Sequence, residues 1–121
     1  MGLLVVDAEV SANVSGTRRN VSFLVDTGAI YSLLPESVWI ELGLEPERTL
    51  EFRLADTTRI QRRVSHCFFT LAGVTAPSPV ILGETGDEPL LGAVTLESLG
   101  LVWNPFDRSL RPARMLLAAV G

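Results

Sequence analysis

Apolar and polar residues alternate along much of this chain, with the period of short strands. From Leu3 to Val14 the apolar Val6, Ala8 and Val10 interleave with Asp7, Glu9 and Ser11, the period-two pattern of a strand with one buried face. Ser15-Gly16-Thr17 reads as a turn and Val21-Ser22-Phe23-Leu24-Val25 as a returning strand, so the chain opens with a hairpin. Asp26-Thr27-Gly28 ends that strand. After Tyr31-Ser32-Leu33-Leu34, Pro35 predicts a helix start, because proline fits a first turn and Glu36 is favourable near a helix N-terminus. Val38, Trp39 and Leu42 supply one apolar face, and Gly43 predicts the stop.

The middle of the chain, Leu50 to Leu71, reads as a long hairpin with its tip at Ala55-Asp56-Thr57-Thr58. Phe52 and Leu54 lie on one arm, Ile60 and Val64 on the other. Arg53, Arg59, Arg62 and Arg63 make both arms polar near the tip, which predicts a strand pair partly clear of the body. The two prolines of Pro77-Ser78-Pro79 predict a bend or an edge, followed by a short buried strand at Val80-Ile81-Leu82 and a polar loop from Gly83 to Glu88. Leu90-Leu91-Gly92 leads to a short helix around Thr95 to Leu99. Leu101-Val102-Trp103 and Ser109-Leu110 make a last hairpin around Asn104-Pro105-Phe106-Asp107, and Met115 to Val120 is an apolar tail. A faint repeat runs through this order. Phe23 to Gly28 and Pro89 to Gly92 each pass from apolar strand through a glycine turn and a helix to Leu-Gly-Leu, at Leu42-Gly43-Leu44 and Leu99-Gly100-Leu101.

Composition narrows the classes. A chain of 121 residues with 47% hydrophobic and 20% charged residues fits one globular domain over residues 1–121 and excludes a disordered chain. A net charge of −4 argues against a nucleic-acid partner, since neutralising phosphates takes a basic face. All 10 cations are Arg, which removes the lysine of a phosphate loop or a Schiff base. One Cys and one His leave no disulfide framework and no Cys/His zinc site, and neither metal nor cofactor is expected. The uncharged stretch Val64 to Gly83 is long enough to span a membrane, but it alternates like a strand and breaks at its prolines, so no membrane partner is expected. The first residues, Met1 to Asp7, show no basic region or cleavage site, which points to a cytoplasmic, reducing location.

The chemistry gathers at Asp26. An Asp leaving a wholly apolar strand for a glycine turn is expected at the core's edge, where water is scarce and a carboxylate is costly unless hydrogen-bonded or sharing a proton. The tripeptide alone leaves two readings, an Asx turn satisfied by local amides or a reactive carboxylate. The longer string Leu24-Val25-Asp26-Thr27-Gly28-Ala29, followed by Ser32-Leu33-Leu34-Pro35, resembles the active-site segment of retropepsin-like aspartic proteases. Leu90-Leu91-Gly92 stands where that family has a hydrophobic-hydrophobic-Gly element, and Leu54 to Arg59 resembles its flap.

The resemblance runs from about Leu3 to Leu110 and carries several expectations. It implies an all-β, closed or partly open barrel of the acid-protease type, with a flap hairpin and one or two short helices. It implies an aspartic endopeptidase acting on peptide or protein substrates, with Asp26 catalytic, Thr27, Gly28 and Ala29 forming the active-site loop, and Ala55, Asp56, Thr57 and Thr58 covering the substrate. Two features depart from the pattern. Ile30-Tyr31 stand where retroviral members often carry acidic residues, and Asp56-Thr57-Thr58 replaces a commonly glycine-rich tip. Hydrolysis without metal or covalent intermediate needs one group to deprotonate water and another to protonate the amide carbonyl. Two carboxylates sharing one proton do both. The chain has one Asp-Thr-Gly, so the second must come from another copy across a twofold axis, which makes a homodimer, and the resemblance implies that Thr27 braces the two loops. The alternative is a non-catalytic retropepsin-like dimerisation or peptide-binding module.

Other candidates read as structural. His66 and Cys67 are neighbours in a strand and point to opposite faces, so they form no nucleophile–base pair. Glu84, Asp87 and Glu88 lack the spacing of a calcium loop and read as a solvated turn. Trp39 and Trp103 read as core or interface anchors.

Overall fold

The computed structural model describes residues 4–113. The opening hairpin forms as the alternation predicts, from β1 (Val5–Ser11) and β2 (Arg19–Val25), paired antiparallel with Val6 opposite Phe23 and Ala8 opposite Val21. β3 (Ser32–Leu34) leads into α1 (Glu36–Leu42), where Pro35 is the cap rather than the first helical residue. The Pro35 carbonyl accepts from the amides of Val38 and Trp39 at 3.0 and 3.1 Å. Gly43 ends the helix in the left-handed region, φ 72°, a conformation that glycine takes without a Cβ clash.

The long hairpin is β4 (Arg48–Arg53) and β5 (Arg59–Leu71), with Phe52 opposite Ile60. β6 (Val74–Leu82) then runs antiparallel to β5, with Val74–Ile81 opposite Val64–Leu71. Of the bend or edge expected from the prolines, the structure shows an edge and no break in the strand. Pro77 and Pro79 lie inside a nine-residue strand, opposite Phe68 and His66, and Val80–Leu82 is its last third. β3 pairs with β6 only at Val80, Ile81 and Leu82, so the earlier part of β6 has a free side where a missing N–H costs nothing. β7 (Leu90–Leu91), α2 (Ala93–Ser98), β8 (Leu101–Asn104) and β9 (Ser109–Pro112) complete the described chain. The tail Met115–Val120 lies outside the described residues.

The strands close on themselves. β1 pairs β2 on one side and β5 on the other, so the order β1-β2-β7-β3-β6-β5 returns to its start as a partly ring-like sheet with β4 attached outside. The described chain is therefore the expected all-β, partly closed barrel with two short helices. Its interior is filled by Phe23, Phe69, Leu34, Leu82, Leu91, Val10 and Val80, with the Phe23 and Phe69 rings 5.6 Å apart. The two repeat-like units meet there, because β2 and β7 pair in parallel with Leu24 opposite Leu90 and Val25 opposite Leu91.

Candidate active site

Asp26 is the first residue beyond β2, and neighbouring strands fix its backbone. The Leu24 amide donates to the Pro89 carbonyl at 3.1 Å, the Val25 amide to that of Leu4 at 2.9 Å, and the Asp26 amide to that of Leu91 at 3.0 Å. The chain then turns sharply, with the Ala29 amide on the Asp26 carbonyl at 3.1 Å and the Gly28 amide on Asp26 Oδ1 at 2.9 Å. A Cβ at Gly28 would lie 3.2 Å from that same Oδ1, which favours glycine in the turn. Asp26, Thr27 and Gly28 are all exposed, and Ala29 is half-buried. The water-poor setting expected of Asp26 is thus corrected. In the single chain the carboxylate faces solvent and forms an Asx turn, because no described segment covers this end of β2 and β7.

The loop is latched from below by α2. Its first amides, which have no partner inside the helix, donate outward, Ala93 to the Ala29 carbonyl at 2.9 Å and Val94 to that of Ile30 at 3.0 Å. The Gly92 amide donates to Ser32 Oγ at 2.9 Å. Ser32 Oγ also lies 2.5 Å from Thr95 Oγ1, which is 2.8 Å from Ser78 Oγ. All three hydroxyls are buried, so β3, β6 and α2 are tied by a polar chain directly beneath the loop. Sequence reasoning missed this chain. Its available signal was a pair of hydroxyl residues, Ser32 and Thr95, inside apolar runs, where each needs a buried partner.

The expected flap is the β4–β5 hairpin, and Ala55, Asp56, Thr57 and Thr58 at its tip are all exposed. The Leu54 amide donates to the Thr58 carbonyl at 2.8 Å and the Thr57 amide to that of Leu54 at 2.9 Å. Thr57 sits at φ 72°, a strained region for a β-branched residue. The Thr58 amide donates to Asp56 Oδ1 at 2.9 Å. Hydrogen bonds from the Thr58 hydroxyl and amide hold the Asp56 carboxyl below its ordinary value. Among the described residues no hydrogen bond joins this tip to residues 26–29, so the two halves of the predicted site stand apart.

What joins hairpin to body is its base. Phe52 meets Tyr31 edge to face with ring centres 6.0 Å apart, and Arg48 donates to the Tyr31 hydroxyl at 3.4 Å. Arg62 pairs with Glu84 at 3.3 Å and Asp87 at 3.8 Å, which uses two of the loop carboxylates considered for a cation. Arg63 lies 5.3 Å over the Trp39 ring, whose Nε1 donates to the Gly83 carbonyl at 2.8 Å. Cys67 is fully buried and its thiol is pushed up to about 12 by that burial, whereas His66 is exposed with Nδ1 2.5 Å from Glu47 Oε2. The two face apart as their adjacency requires. Among the described residues no helix is long and apolar enough to cross a membrane.

The sequence pattern of the aspartyl protease family matches residues 10–95, a span that holds the 26–29 loop, the hairpin tip and Leu90-Leu91-Gly92. The chain belongs to that family. The fold is also that of solved viral proteases. The EIAV protease, solved in complex with the inhibitor HBY-793, aligns with a TM-score of 0.59 over 96% of this chain and 94% of its own, at 17% identity. The solution structure of the simian foamy virus (mac) protease aligns with a TM-score of 0.55 over 78% of this chain and 92% of its own, at 20% identity. At these identities the likeness is one of fold. Among curated proteins no sequence matches.

Proposed function

We propose that this member of the aspartyl protease family is a cytoplasmic aspartic endopeptidase of one domain, active as a homodimer on peptide or protein substrates. The observation that carries the reading is the Asp26 carboxylate, left facing solvent at the end of two parallel strands with one oxygen accepting from the Gly28 amide, while its backbone is hydrogen-bonded to Leu91 and Ala29. A rigid loop with an open carboxylate lacks one thing, a second carboxylate opposite, and the chain's one Asp-Thr-Gly leaves a second copy to supply it.

In this dimer two Asp26 side chains face each other with one proton between them. The unprotonated one takes a proton from water as its oxygen attacks the scissile carbonyl carbon, and the other gives its proton to the carbonyl oxygen. Collapse of the resulting diol breaks the C–N bond as the nitrogen receives a proton from the pair. Gly28 and Ala29 present backbone to the substrate, Thr27 braces the paired loops, and residues 55–58 cover the cleft.

The hairpin tip favours a second reading. Its Asx turn at Asp56 and the strained Thr57 make a stiff cap, which suits a module that binds peptides without cleaving them. Peptide-library cleavage with the parent and Asp26→Asn separates the two. Cleavage by the parent, lost in a variant that still dimerises, supports the enzyme. Equal cleavage by both sinks the carboxylate pair, and binding without cleavage by both favours the module.

A further inference from the structure

The β8–β9 hairpin lies beyond the segment that matches the family pattern, which ends at Thr95, and it forms a sheet of its own. We propose that this hairpin and the groove at its base are a self-complementary surface for a second copy of the chain, with Phe106 of each copy seated in the other's groove beside Thr27. The inference rests on the homodimer reading above and gives it a contact surface.

A lone two-stranded hairpin is marginal in water. This one is held by Leu101 at its base and Leu110 nearer its turn, which pack against the core, and by the Ala113 amide on the Gly100 carbonyl at 2.7 Å. Its tip is ordered as well. The Phe106 amide donates to Asn104 Oδ1 at 2.9 Å, Ser109 Oγ to Asp107 Oδ1 at 2.6 Å, and Arg111 pairs with Asp107. That ordered turn holds Phe106 98% exposed, and Val102 on the adjoining strand is 48% exposed. An aromatic ring left in water does nothing for the single chain. It has the character of an anchor for a partner, where aromatic side chains dominate binding.

The groove supplies a mostly apolar lining and a charge at its edge. It measures about 410 Å³ and is walled by Thr27, Leu96, Leu101, Val102, Trp103 and Pro105, with Glu97 of α2 on its rim. Arg108, two residues after Phe106, carries the opposite charge, and among the described residues neither Glu97 nor Arg108 is in an ion pair. Pro105 walls the groove while Phe106 follows it, so probe and receptor are one patch. A twofold axis that seats one ring seats both. Thr27 in the same wall is one residue from Asp26, so an axis past this groove brings the two candidate carboxylates toward each other.

Sedimentation equilibrium at micromolar concentration tests the surface. The parent should be a dimer, and Phe106→Asp should weaken it about thirtyfold or more, the loss of an anchor residue. The exposure of Phe106 means that this variant keeps the fold, which circular dichroism and the thermal midpoint verify. Glu97→Arg should weaken the dimer, and the swap Glu97→Arg with Arg108→Glu should restore it. A parent that stays monomeric, or Phe106→Asp dimerising as tightly as the parent, overturns the surface. Asp26→Asn keeps this test distinct from the catalytic one. If it dimerises normally and still cleaves, the carboxylate pair fails and the surface stands. If Phe106→Asp leaves both dimer and cleavage intact, the surface fails and the pair stands.

Discussion

Gly92 backs directly onto the peptide group of Tyr31. A Cβ at position 92 would stand 2.6 Å from the Tyr31 carbonyl carbon, 2.7 Å from its oxygen and 3.0 Å from the Ala29 carbonyl oxygen. The backbone of Gly92 is extended, φ −98°, so the demand for glycine is one of space and not of dihedral angle. All three atoms are main chain and cannot swing aside. Gly92→Ala should therefore cost about 1–3 kcal/mol, as overpacking does. It should also push residues 29–31 away from α2, so cleavage should fall more steeply than the thermal midpoint. An unchanged midpoint would show that the loop yields freely.

Thr95→Val tests the hydroxyl chain under the loop. The variant keeps the shape of the side chain but strips Ser32 and Ser78 of a buried partner. Leaving buried hydroxyls short of a hydrogen bond costs about 1–3 kcal/mol. Urea unfolding should show a lower midpoint with an unchanged slope, since the surface exposed on unfolding stays the same. The double change Ser32→Ala with Thr95→Val should cost less than the sum of the single changes, because the two residues share one bond.

Cys67 makes a prediction at alkaline pH. Burial disfavours the thiolate and raises the folded value from 9.0 to about 12, while the unfolded thiol ionises near 9.0. Below that pH the contribution is fully present. As pH rises toward 12 the unfolded chain loses a proton that the folded chain keeps, so stability should fall by about 1.4 kcal/mol per pH unit. Cys67→Ala, compared with the parent, should lack this component of the alkaline slope. Parallel slopes would show that the thiol is less buried than its setting implies. The native thiol should also react slowly with thiol reagents at neutral pH.

Asp56 makes the converse prediction in acid. Its carboxyl is held low by the Thr58 hydroxyl and amide, so the turn it closes is intact above the ordinary carboxylate value of 3.8. As pH falls through the lowered value the carboxylate takes up a proton and the tip loosens. Amide exchange at Thr58 should accelerate there and nowhere else in β4 or β5. In Asp56→Ala it should be fast at every pH. Exchange at Thr58 that ignores both changes would remove the Asx turn from the account of the tip.

Residues with one wet face and one dry face declared themselves in the sequence. Val6, Ala8 and Val10 placed the first hairpin, and Phe52, Leu54, Ile60 and Val64 placed the second with its tip at the right residues. Gly43 announced the helix end because its conformation is a local matter. Three things were not local. Pro77 and Pro79 allowed a bend or an edge; a proline harms a sheet only where a neighbour needs its N–H, and the short reach of β3, which decides for the edge, is not written in the local sequence. Ser32 and Thr95 are 63 positions apart, and no periodicity links them. The exposure of Asp26 depends on what covers the loop, which the strand leading into it does not encode.

The prolines of β6 have a consequence for how the protein behaves in a crowded solution. A sheet edge with a regular row of amides is a template on which another extended chain can grow. Where β3 stops, β6 continues for six residues with two of its nitrogens unable to donate. An approaching strand would find gaps where it needs partners, so this opening in the ring is a poor seed for fibres. Pro77→Thr and Pro79→Val would refill the row. The edge that the fold leaves open would then become adhesive.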